Sequence, residues 1–396
     1  MKHKLLNIFV LLSCASCLPS CSDDIVHEMA KEDNVKTTSE STIGHKLSLA
    51  NALKRSEPYI KGITPNMNVR SERRITNVEY VTRGMRTRSG SNNDTLFYIV
   101  NYGNNEGFAM LGADERLLPV YAVSDSGSLS MSDTTENKGL KMFFNSTLAS
   151  IDSIPAGWKF GDLIYNDPRY SDESTLPLLS EYQQKIHQSD PFNQYCPLVS
   201  QNGTILKRCV VGCAAIAMEQ ILSYYQYPSR VCGYLILWEK ANKGERDYDI
   251  AKVLVNIGTQ LLNMKYGEYL SSAEPERFPN AFQALDYSTP VIKNFDTEIA
   301  ANELKSMNPI LVYGYNDYPF SGHAWVIDGY KKYGWLHPIN GSAGGPTYYF
   351  HCIWGDRGIN NGYFYFETTG SVNYNNNTVY KNIMMLTGVR PLYNYI

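Results

Sequence analysis

The chain has 396 residues, of which 43% are hydrophobic, with a formal net charge of −3 and a pI near 6.2. This length is enough for two ordinary domains, and the composition is typical of a folded globular protein. The weak net charge gives no reason to expect nucleic acid as a partner.

The N-terminus has the pattern of an export signal. Lys2 and Lys4 precede a largely apolar run over 5–12, which small residues and cysteines follow. The run is too short to span a bilayer, so residues 1–21 are predicted to be a signal peptide.

A Leu-Pro-Ser-Cys segment that ends at Cys21 resembles the lipobox of bacterial lipoproteins. The Ser-Asp-Asp that follows it resembles the acidic tag of surface lipoproteins in the Bacteroidetes. These resemblances imply that Cys21 is lipidated and that the protein is an exported outer-membrane lipoprotein anchored to the membrane by lipid. Cys14 and Cys17 also follow small residues and stay open as alternatives. Residues 22–42 are polar and charged, which is typical of a flexible tether.

Residues 43–154 have the pattern of a smaller α+β module, and residues 155–177, rich in proline, aspartate and serine, have that of a connector. A Gly-Asn-Asn-Glu-Gly turn, whose residues accept positive φ, predicts a hairpin, and apolar residues at helical spacing predict an amphipathic helix that covers it. No catalytic motif occurs here, so a binding or inhibitory role is expected. The predicted elements are a helix near 47–55, a basic polar loop over 70–94, strands at 96–102, 108–112 and 120–123, and a helix over 140–151.

A cysteine stands at the start of a strongly apolar predicted helix. Gly212 permits a tight turn, and Cys213 then lies in the first helical turn, with apolar residues continuing to Tyr225. At a helix N-terminus, unpaired N–H groups and the helix dipole favour negative charge and lower a thiol pKa. The alternative is a structural cysteine, since cysteine is often buried. Cys209, the rival nucleophile, lacks the preceding glycine and the helix start.

A histidine far downstream, His323, opens an apolar alternating segment that predicts a core strand. A cysteine and a later histidine, each beside a glycine on a rigid element, form the arrangement of a thiol peptidase whose pair meets only in the fold. After Pro309 the strand signals dominate, which predicts an antiparallel sheet in the C-terminal half. The predicted strands are 310–313, 323–330, 334–336, 348–352 and 363–367.

These motifs, in this order, resemble the streptopain-like cysteine peptidases. A Gln-Ser-Asp-Pro-Phe-Asn segment is similar to the family's Gln-x-x-Pro-Tyr-Asn, and His-Cys-Ile-Trp-Gly is similar to the start of its His-x-Asn-Trp-Gly-Trp-Gly-Gly. The resemblance implies an α+β fold, with a papain-like catalytic domain of a helical lobe and an antiparallel sheet lobe over 171–396. A small inhibitory propeptide domain over 43–170 precedes it. The implied function is a secreted or surface-anchored cysteine endopeptidase made as a zymogen.

The resemblance also implies roles for single residues. Cys213 is the nucleophile and His323 its acid–base partner, while Gln188 contributes to the oxyanion hole and Trp354 shields the histidine from solvent. Protein or peptide substrates and the propeptide are the expected partners, and no cofactor is needed. The residues implied in the substrate cleft are Ser271 and Ser272, although this region is shorter than in the family and an ordinary solvated loop is the alternative.

One position departs from the family pattern. The family has an asparagine immediately before the tryptophan, which hydrogen-bonds the catalytic histidine, and this chain has Ile353 there. Isoleucine cannot accept the ring N–H, so His323 loses the partner that fixes its tautomer and orientation. Asp356, Asn360 and Asn361 are the alternative partners. The departure gives an alternative function, a catalytically weakened surface binding protein, and it predicts that Ile353→Asn raises activity by about tenfold.

The remaining cysteines and histidines give no definite site. If Cys21 is lipidated, the five cysteines that follow fit one reactive thiol and up to two disulfides in an exported protein. No metal is expected, because the histidines show no ligand spacing with the cysteines. The cysteines whose pairing stays open are Cys196, Cys209, Cys232 and Cys352, and the histidines in question are His187, His337 and His351.

Overall fold

The computed structural model describes residues 45–64, 74–82, 86–88, 95–115, 117–133, 137–152, 173–201, 205–316, 321–336, 343–366, 373–374, 377–378 and 383–392. The predicted signal peptide, Cys21, the tether over 22–42 and His337 lie outside these residues. Within the described ranges, no helix is both long and apolar enough to cross a membrane.

Side-chain caps mark where several helices begin. Ser48, Ser180 and Asp296 each accept a backbone hydrogen bond from the first turn of the helix that follows. A π-helical turn, Ile257–Leu261, continues one helix, and a 3-10 turn, Pro275–Arg277, leads into the next. The α-helices of the described ranges are α1 (Leu49–Ile63), α2 (Lys138–Asp152), α3 (Glu181–Gln184), α4 (Cys213–Tyr225), α5 (Trp238–Ala241), α6 (Asp247–Asn256), α7 (Phe278–Gln283) and α8 (Thr297–Lys305).

The strands are numbered β1 to β18 in chain order. They are β1 (Ile75–Thr82), β2 (Arg86–Arg88), β3 (Thr95–Tyr102), β4 (Phe108–Gly112), β5 (Val120–Ser124), β6 (Ser174–Thr175), β7 (Leu198–Gln201), β8 (Ile205–Arg208), β9 (Arg230–Val231), β10 (Tyr234–Leu235), β11 (Val291–Asn294), β12 (Ile310–Asn316), β13 (Ser321–Leu336), β14 (Ala343–Ile353), β15 (Gly362–Phe366), β16 (Asn373–Tyr374), β17 (Asn377–Thr378) and β18 (Ile383–Thr387).

One antiparallel sheet runs through both the N-terminal module and the C-terminal part of the chain. Its 12 strands follow the order β11-β18-β12-β13-β14-β15-β5-β4-β3-β1-β2, and β6 pairs alongside β13. The two parts join where β15 pairs with β5, with Phe364 opposite Ala122 and Tyr363 opposite Val123. The edge strand of the C-terminal sheet is therefore covered by the N-terminal module.

The basic, polar stretch over 70–94 is predicted to be a loop, and this prediction is wrong for its described part. Ile75–Thr82 forms β1, which pairs with β3 along its whole length, and Arg86–Arg88 forms β2 beside it. β1 lies next to the edge strand of the sheet, and most of its side chains are exposed or half-exposed, so its alternation of apolar residues is weak. The predicted strands 323–330 and 334–336 are likewise parts of one strand, β13.

Two apolar clusters fill the interior. The first lies between the sheet and the helices α1 and α2, and it contains side chains of both the N-terminal module and the C-terminal sheet. Phe143 of α2, for example, packs edge-on against Phe364 of β15, with ring centroids 4.9 Å apart. The second cluster surrounds α4 and includes Ile216 and Ile353. The N-terminal module and the C-terminal sheet therefore share one core.

Candidate active site

Cys213 lies at the first residue of α4, as the sequence predicts. Gly212 precedes it with a φ of 92°, a backbone conformation that favours glycine, and a Cβ added there would lie 2.1 Å from the Met264 Cε atom. The helix is buried from Ala214 to Ser223, whereas Cys213 is half-buried. The thiol is thus held at the end of a rigid core element.

The fold brings His323 to this thiol. His323 lies on β13 opposite Gly314 of β12, and only 7% of its surface is exposed. Burial raises the pKa of the Cys213 thiol, but the charge and the hydrogen bond of His323, with a bond from the Ala324 backbone, outweigh it. The pKa of Cys213 is therefore lowered overall. Burial raises the pKa of Cys209, which distinguishes the two thiols.

The second ring nitrogen of His323 has a backbone partner. Its Nε2 atom lies 3.0 Å from the carbonyl oxygen of Trp354. Because a carbonyl only accepts, Nε2 carries the hydrogen, which leaves Nδ1 to face the thiol. Ile353 is fully buried in the second apolar cluster, one residue before the carbonyl that orients His323.

Two tryptophans enclose the imidazole. Trp354 is 1% exposed, and its backbone N–H donates to Oδ1 of Asn361 over 3.1 Å while its indole N–H donates to the Asn360 carbonyl over 3.0 Å. Trp325 stacks on His323 with centroids 6.1 Å apart and an angle of 14° between the rings. Trp325 is not among the predicted site residues, although it stands two residues after His323, and side chains at that spacing share one face of a strand.

Gln188 lies in a segment that contacts the residues just before the nucleophile. Its backbone carbonyl accepts a 3.0 Å hydrogen bond from Val211, two residues before Cys213. Asn193 of the same segment donates to the Cys209 carbonyl over 3.1 Å. The structure therefore places half-buried Gln188 next to the start of α4.

Ser271 and Ser272 differ in their surroundings. Ser271 is 2% exposed, and its hydroxyl donates to the Val210 carbonyl over 2.6 Å and accepts from the Gly267 N–H over 3.2 Å. Ser272 is exposed. The Ser271 hydroxyl is thus engaged inside the protein, where it supports the backbone just before Cys213.

The N-terminal module reaches the pair through the first turn of α2. A Cβ added to Gly139 would lie 2.6 Å from Cδ2 of His323 and 2.6 Å from Cε3 of Trp354. The ammonium of the adjacent Lys138 contributes to the lowered pKa of Cys213. The sequence carries no local signal for this contact, because it joins residues far apart in the chain.

The remaining cysteines are free thiols, and no pair of them forms a disulfide within the described residues. Burial raises the pKa of Cys196 to about 12. His351 pairs with Asp328, its Nδ1 atom lying 2.6 Å from Oδ1. In the part of the chain that the structure describes, no group of three or more histidine, cysteine, aspartate or glutamate side chains could hold a metal ion.

The nucleophile helix also carries a buried carboxyl. Glu219 is completely buried, and neither of its carboxyl oxygens has a hydrogen-bond partner among the described residues. Burial raises the pKa of this carboxyl to about 8. The folded protein therefore holds Glu219 protonated at pH values where the unfolded chain ionises it.

We expect this carboxyl to make the protein less stable as the pH rises. Between about pH 4.5 and 8 the folded state binds a proton that the unfolded state has released, so stability falls by ~1.4 kcal/mol per pH unit and levels off above that window. Glu219→Gln keeps the shape without the charge. In the Cys213→Ala background, its melting temperature should exceed that of the parent by roughly 5–10 °C at pH 8 and by much less at pH 5.

Melting curves by differential scanning fluorimetry at both pH values measure this difference. Glu245→Gln, at an exposed position, is the matched control and should change neither curve. Equal pH dependence in the Glu219→Gln variant and its parent would show that Glu219 is not the group responsible.

Comparison with family models matches two parts of the chain. A model described as the Peptidase C10 family matches residues 186–250 and 237–364, which contain Cys213 and His323. A model described as the Spi protease inhibitor matches residues 44–151, which contain α1, α2 and strands β1 to β5.

Known proteins resemble the chain over most of its length. The thiol protease/hemagglutinin PrtT of Porphyromonas gingivalis is 23% identical over 329 residues, which cover 70% of this chain and 34% of PrtT. Streptopain of Streptococcus pyogenes is 22% identical over 323 residues, covering 70% of this chain and 74% of streptopain. The chain thus spans about a third of PrtT.

A solved structure shares the fold. Prointerpain A of Prevotella intermedia superimposes with a TM-score of 0.53 at 20% sequence identity, covering 74% of this chain and 95% of that structure. This similarity supports the predicted α+β architecture, in which a propeptide module precedes a papain-like catalytic domain.

Proposed function

Because residues 186–364 place this chain in the streptopain-like Peptidase C10 family, behind a Spi-type inhibitor module, we propose that it is a cysteine endopeptidase made as a zymogen. The observation that carries the proposal is the contact of Cys213 with His323, which lowers the pKa of the thiol. A thiolate beside an imidazolium is the activated form of a cysteine nucleophile.

In the proposed reaction the Cys213 thiolate attacks the carbonyl carbon of the scissile peptide bond. The C–N bond breaks as the His323 imidazolium gives its proton to the leaving amine, and a water molecule then hydrolyses the acyl-enzyme. The side chain of Gln188 and the backbone N–H of Cys213 donate to the oxyanion. Loss of one such donor typically costs on the order of a hundredfold or more in rate.

The carbonyl of Trp354 takes the place of the family's asparagine in this mechanism. It accepts the Nε2 hydrogen of His323 and keeps Nδ1 directed at the thiol. Asn361 and Asn360 hold Trp354 in turn through its two N–H groups. The expectation of a weakened enzyme rests on the missing partner at Ile353, so this hydrogen bond favours a competent peptidase over the surface binding protein.

For the same reason we now expect Ile353→Asn to give no gain in activity. The substitution adds a second acceptor where His323 already has one, and it places an amide in the apolar cluster around α4, where an unpaired polar group costs ~1–3 kcal/mol. The kcat of the processed variant and its melting temperature are the measurements, with Ile353→Val as the control of similar shape. A kcat well above that of the wild type would show that the Trp354 carbonyl orients His323 poorly.

The zymogen part of the proposal rests on how the N-terminal module lies on the C-terminal part. Its strand β5 pairs with β15, its helix α2 packs through Phe143 on Phe364, and Gly139 contacts the rings of His323 and Trp354. A substrate cannot occupy the same space above His323. The module therefore acts as the enzyme's own inhibitor until it is removed.

Export and lipidation at Cys21 complete the proposal. The basic start, the apolar run and the lipobox-like segment support an outer-membrane lipoprotein that acts on proteins or peptides outside the cytoplasm. Cys21→Ala should move the protein from the membrane fraction to the soluble fraction. Unchanged fractionation of that variant would exclude Cys21 as the anchor.

The direct test of the function uses the purified proform and casein. Limited proteolysis should release casein-cleaving activity, and iodoacetamide should label Cys213 in the processed protein and abolish that activity in parallel. A processed, folded protein that neither cleaves casein nor reacts with the probe would favour the binding protein.

A further inference from the structure

The segment Glu173–Ser180 pairs with β13, which carries His323, and leads into α3, which contacts the nucleophile helix α4. It begins with β6, where Thr175 lies opposite Tyr330 of β13, and the N–H of Lys332 donates to the Glu173 carbonyl over 3.1 Å. We call this segment the clasp. Its first half is thus an added strand beside β13, the strand on which His323 lies.

The second half of the clasp is fixed by one buried carboxylate. Asp328 of β13 is fully buried, its backbone carbonyl accepts the Leu178 N–H over 3.0 Å, and its Oδ2 atom accepts the Leu179 N–H over 2.9 Å. Its other oxygen lies 2.6 Å from Nδ1 of His351 on β14. The carboxylate therefore has a partner on each side, which is the arrangement that a buried charge requires.

Gly329 leaves room for this contact. A Cβ added to it would lie 3.0 Å from the Thr175 carbonyl oxygen and 3.1 Å from the Pro177 nitrogen. The pairing of β13 with β14 shifts register between Ile327 and Gly329, which places Asp328 at an irregularity of the strand. The backbone of the clasp can therefore lie directly on β13.

From Ser180 the chain continues onto the helix that carries the nucleophile. Ser180 caps α3, whose Gln183 donates to Ser223 of α4 over 3.0 Å and accepts from Gln220 of α4 over 3.0 Å. Leu178 packs against both apolar clusters. The short path from Asp328 to Gln183 thus links β13 with α4.

We propose that the clasp fixes β13 against α4, and that Asp328 is a positioning residue for the Cys213–His323 pair. The inference rests on the proposed peptidase function and adds a condition to maturation. Removal of the propeptide must cut on the N-terminal side of Glu173, because a cut after Ser180 would release the clasp together with the propeptide.

Asp328→Ala in the full-length chain, processed in the same way as the wild type, tests the positioning role. The variant removes the acceptor of the Leu179 N–H, so we expect kcat to fall on the order of tenfold to a hundredfold, the scale of a small misplacement of catalytic groups. KM should change little, since Asp328 is fully buried and both of its carboxyl oxygens bond groups inside the protein. The pH midpoint of iodoacetamide labelling at Cys213 should shift upward, because a displaced His323 stabilises the thiolate less.

Two further variants separate positioning from general loss of stability. Asp328→Asn keeps an acceptor for Leu179 and a donor for His351, so it should restore most of the activity. Glu173→Gln removes only the half-exposed ion pairs of Glu173 with Lys305 and Lys332, and it should behave as the wild type. A folded Asp328→Ala enzyme with the wild-type kcat and labelling midpoint would overturn the inference.

If Asp328→Ala does not fold, Gly329→Val serves instead, because its side chain displaces the clasp at Thr175 and Pro177 while Asp328 stays. Wild-type kcat in that variant would equally overturn the inference.

N-terminal sequencing of the processed wild type should find a start at or before Glu173, and a fully active species that begins after Ser180 would contradict the inference. Failure of the peptidase proposal is distinct, since the wild type itself would then show no activity and no labelling of Cys213.

Discussion

Cys213→Ala is expected to abolish both casein cleavage and self-processing of the proform. The substitution removes the nucleophile and leaves the helix intact, since alanine is the best helix former and the neighbouring positions are already alanines. Loss of a nucleophile that acts as a unit with its base typically lowers kcat by ~10³ or more. Casein hydrolysis and the appearance of a shorter species on a gel measure the two effects.

Cys209→Ala is the matched control for this experiment. Cys209 is fully buried four positions before Cys213, and burial raises the pKa of its thiol, so it is a poor nucleophile. The control should retain activity and lose at most some stability through the small cavity it creates. Self-processing that continues unchanged in purified Cys213→Ala, with no protease added, would show that Cys213 is not the nucleophile.

Elements with strong local signals could be predicted from the sequence. The hairpin at 96–102 and 108–112 forms as Thr95–Tyr102 and Phe108–Gly112, because its glycine-containing turn fixes where the strands end. The helix that begins at Cys213 follows from Gly212 and the apolar residues after it. The strand of His323 follows from its alternating apolar residues, although it continues further than predicted.

Features that depend on distant parts of the chain could not be predicted. The pairing of β15 with β5 joins segments far apart in sequence, and either strand could equally end its own sheet. The partner of His323 is a backbone carbonyl, which every residue possesses, so the side chain at Ile353 gave no indication of it. Within the stretch over 70–94, β1 fully buries only Val81 and Thr82 at its end, so its alternation of apolar residues is weak, and its pairing with the distant β3 has no local signal in the sequence.

A larger side chain at Gly139 is expected to give a proform that escapes its own inhibition. A side chain at this position would lie within 2.6 Å of both the His323 and the Trp354 rings, closer than any unstrained contact. Hydrogen bonds hold both rings in place: His323 bonds the Trp354 carbonyl, and Trp354 bonds Asn360 and Asn361. The first turn of α2 is therefore the part that must move.

Two effects of Gly139→Ala and Gly139→Leu oppose each other: the higher helix propensity of the new residue, and the collision of its side chain with the His323 and Trp354 rings. Replacing glycine in a helix stabilises it by up to about 1 kcal/mol, which alone would hold α2 in place more firmly. Overpacking costs ~1–3 kcal/mol, or about 5- to 150-fold in the population of displaced propeptide. We expect the collision to dominate for Gly139→Leu, with a smaller effect in the same direction for Gly139→Ala.

The initial rate of Cys213 labelling in the intact proform measures this release without the complication of self-processing. Gly139→Leu should accelerate labelling by about tenfold or more on the overpacking scale, while the processed enzyme, which has lost α2, should be unaffected. Lys141→Leu adds the same side chain to an exposed position of α2 and should leave the rate unchanged. Slower labelling in Gly139→Leu than in the wild type would mean that the larger side chain fits over His323, and that inhibition does not depend on the close approach of the α2 backbone.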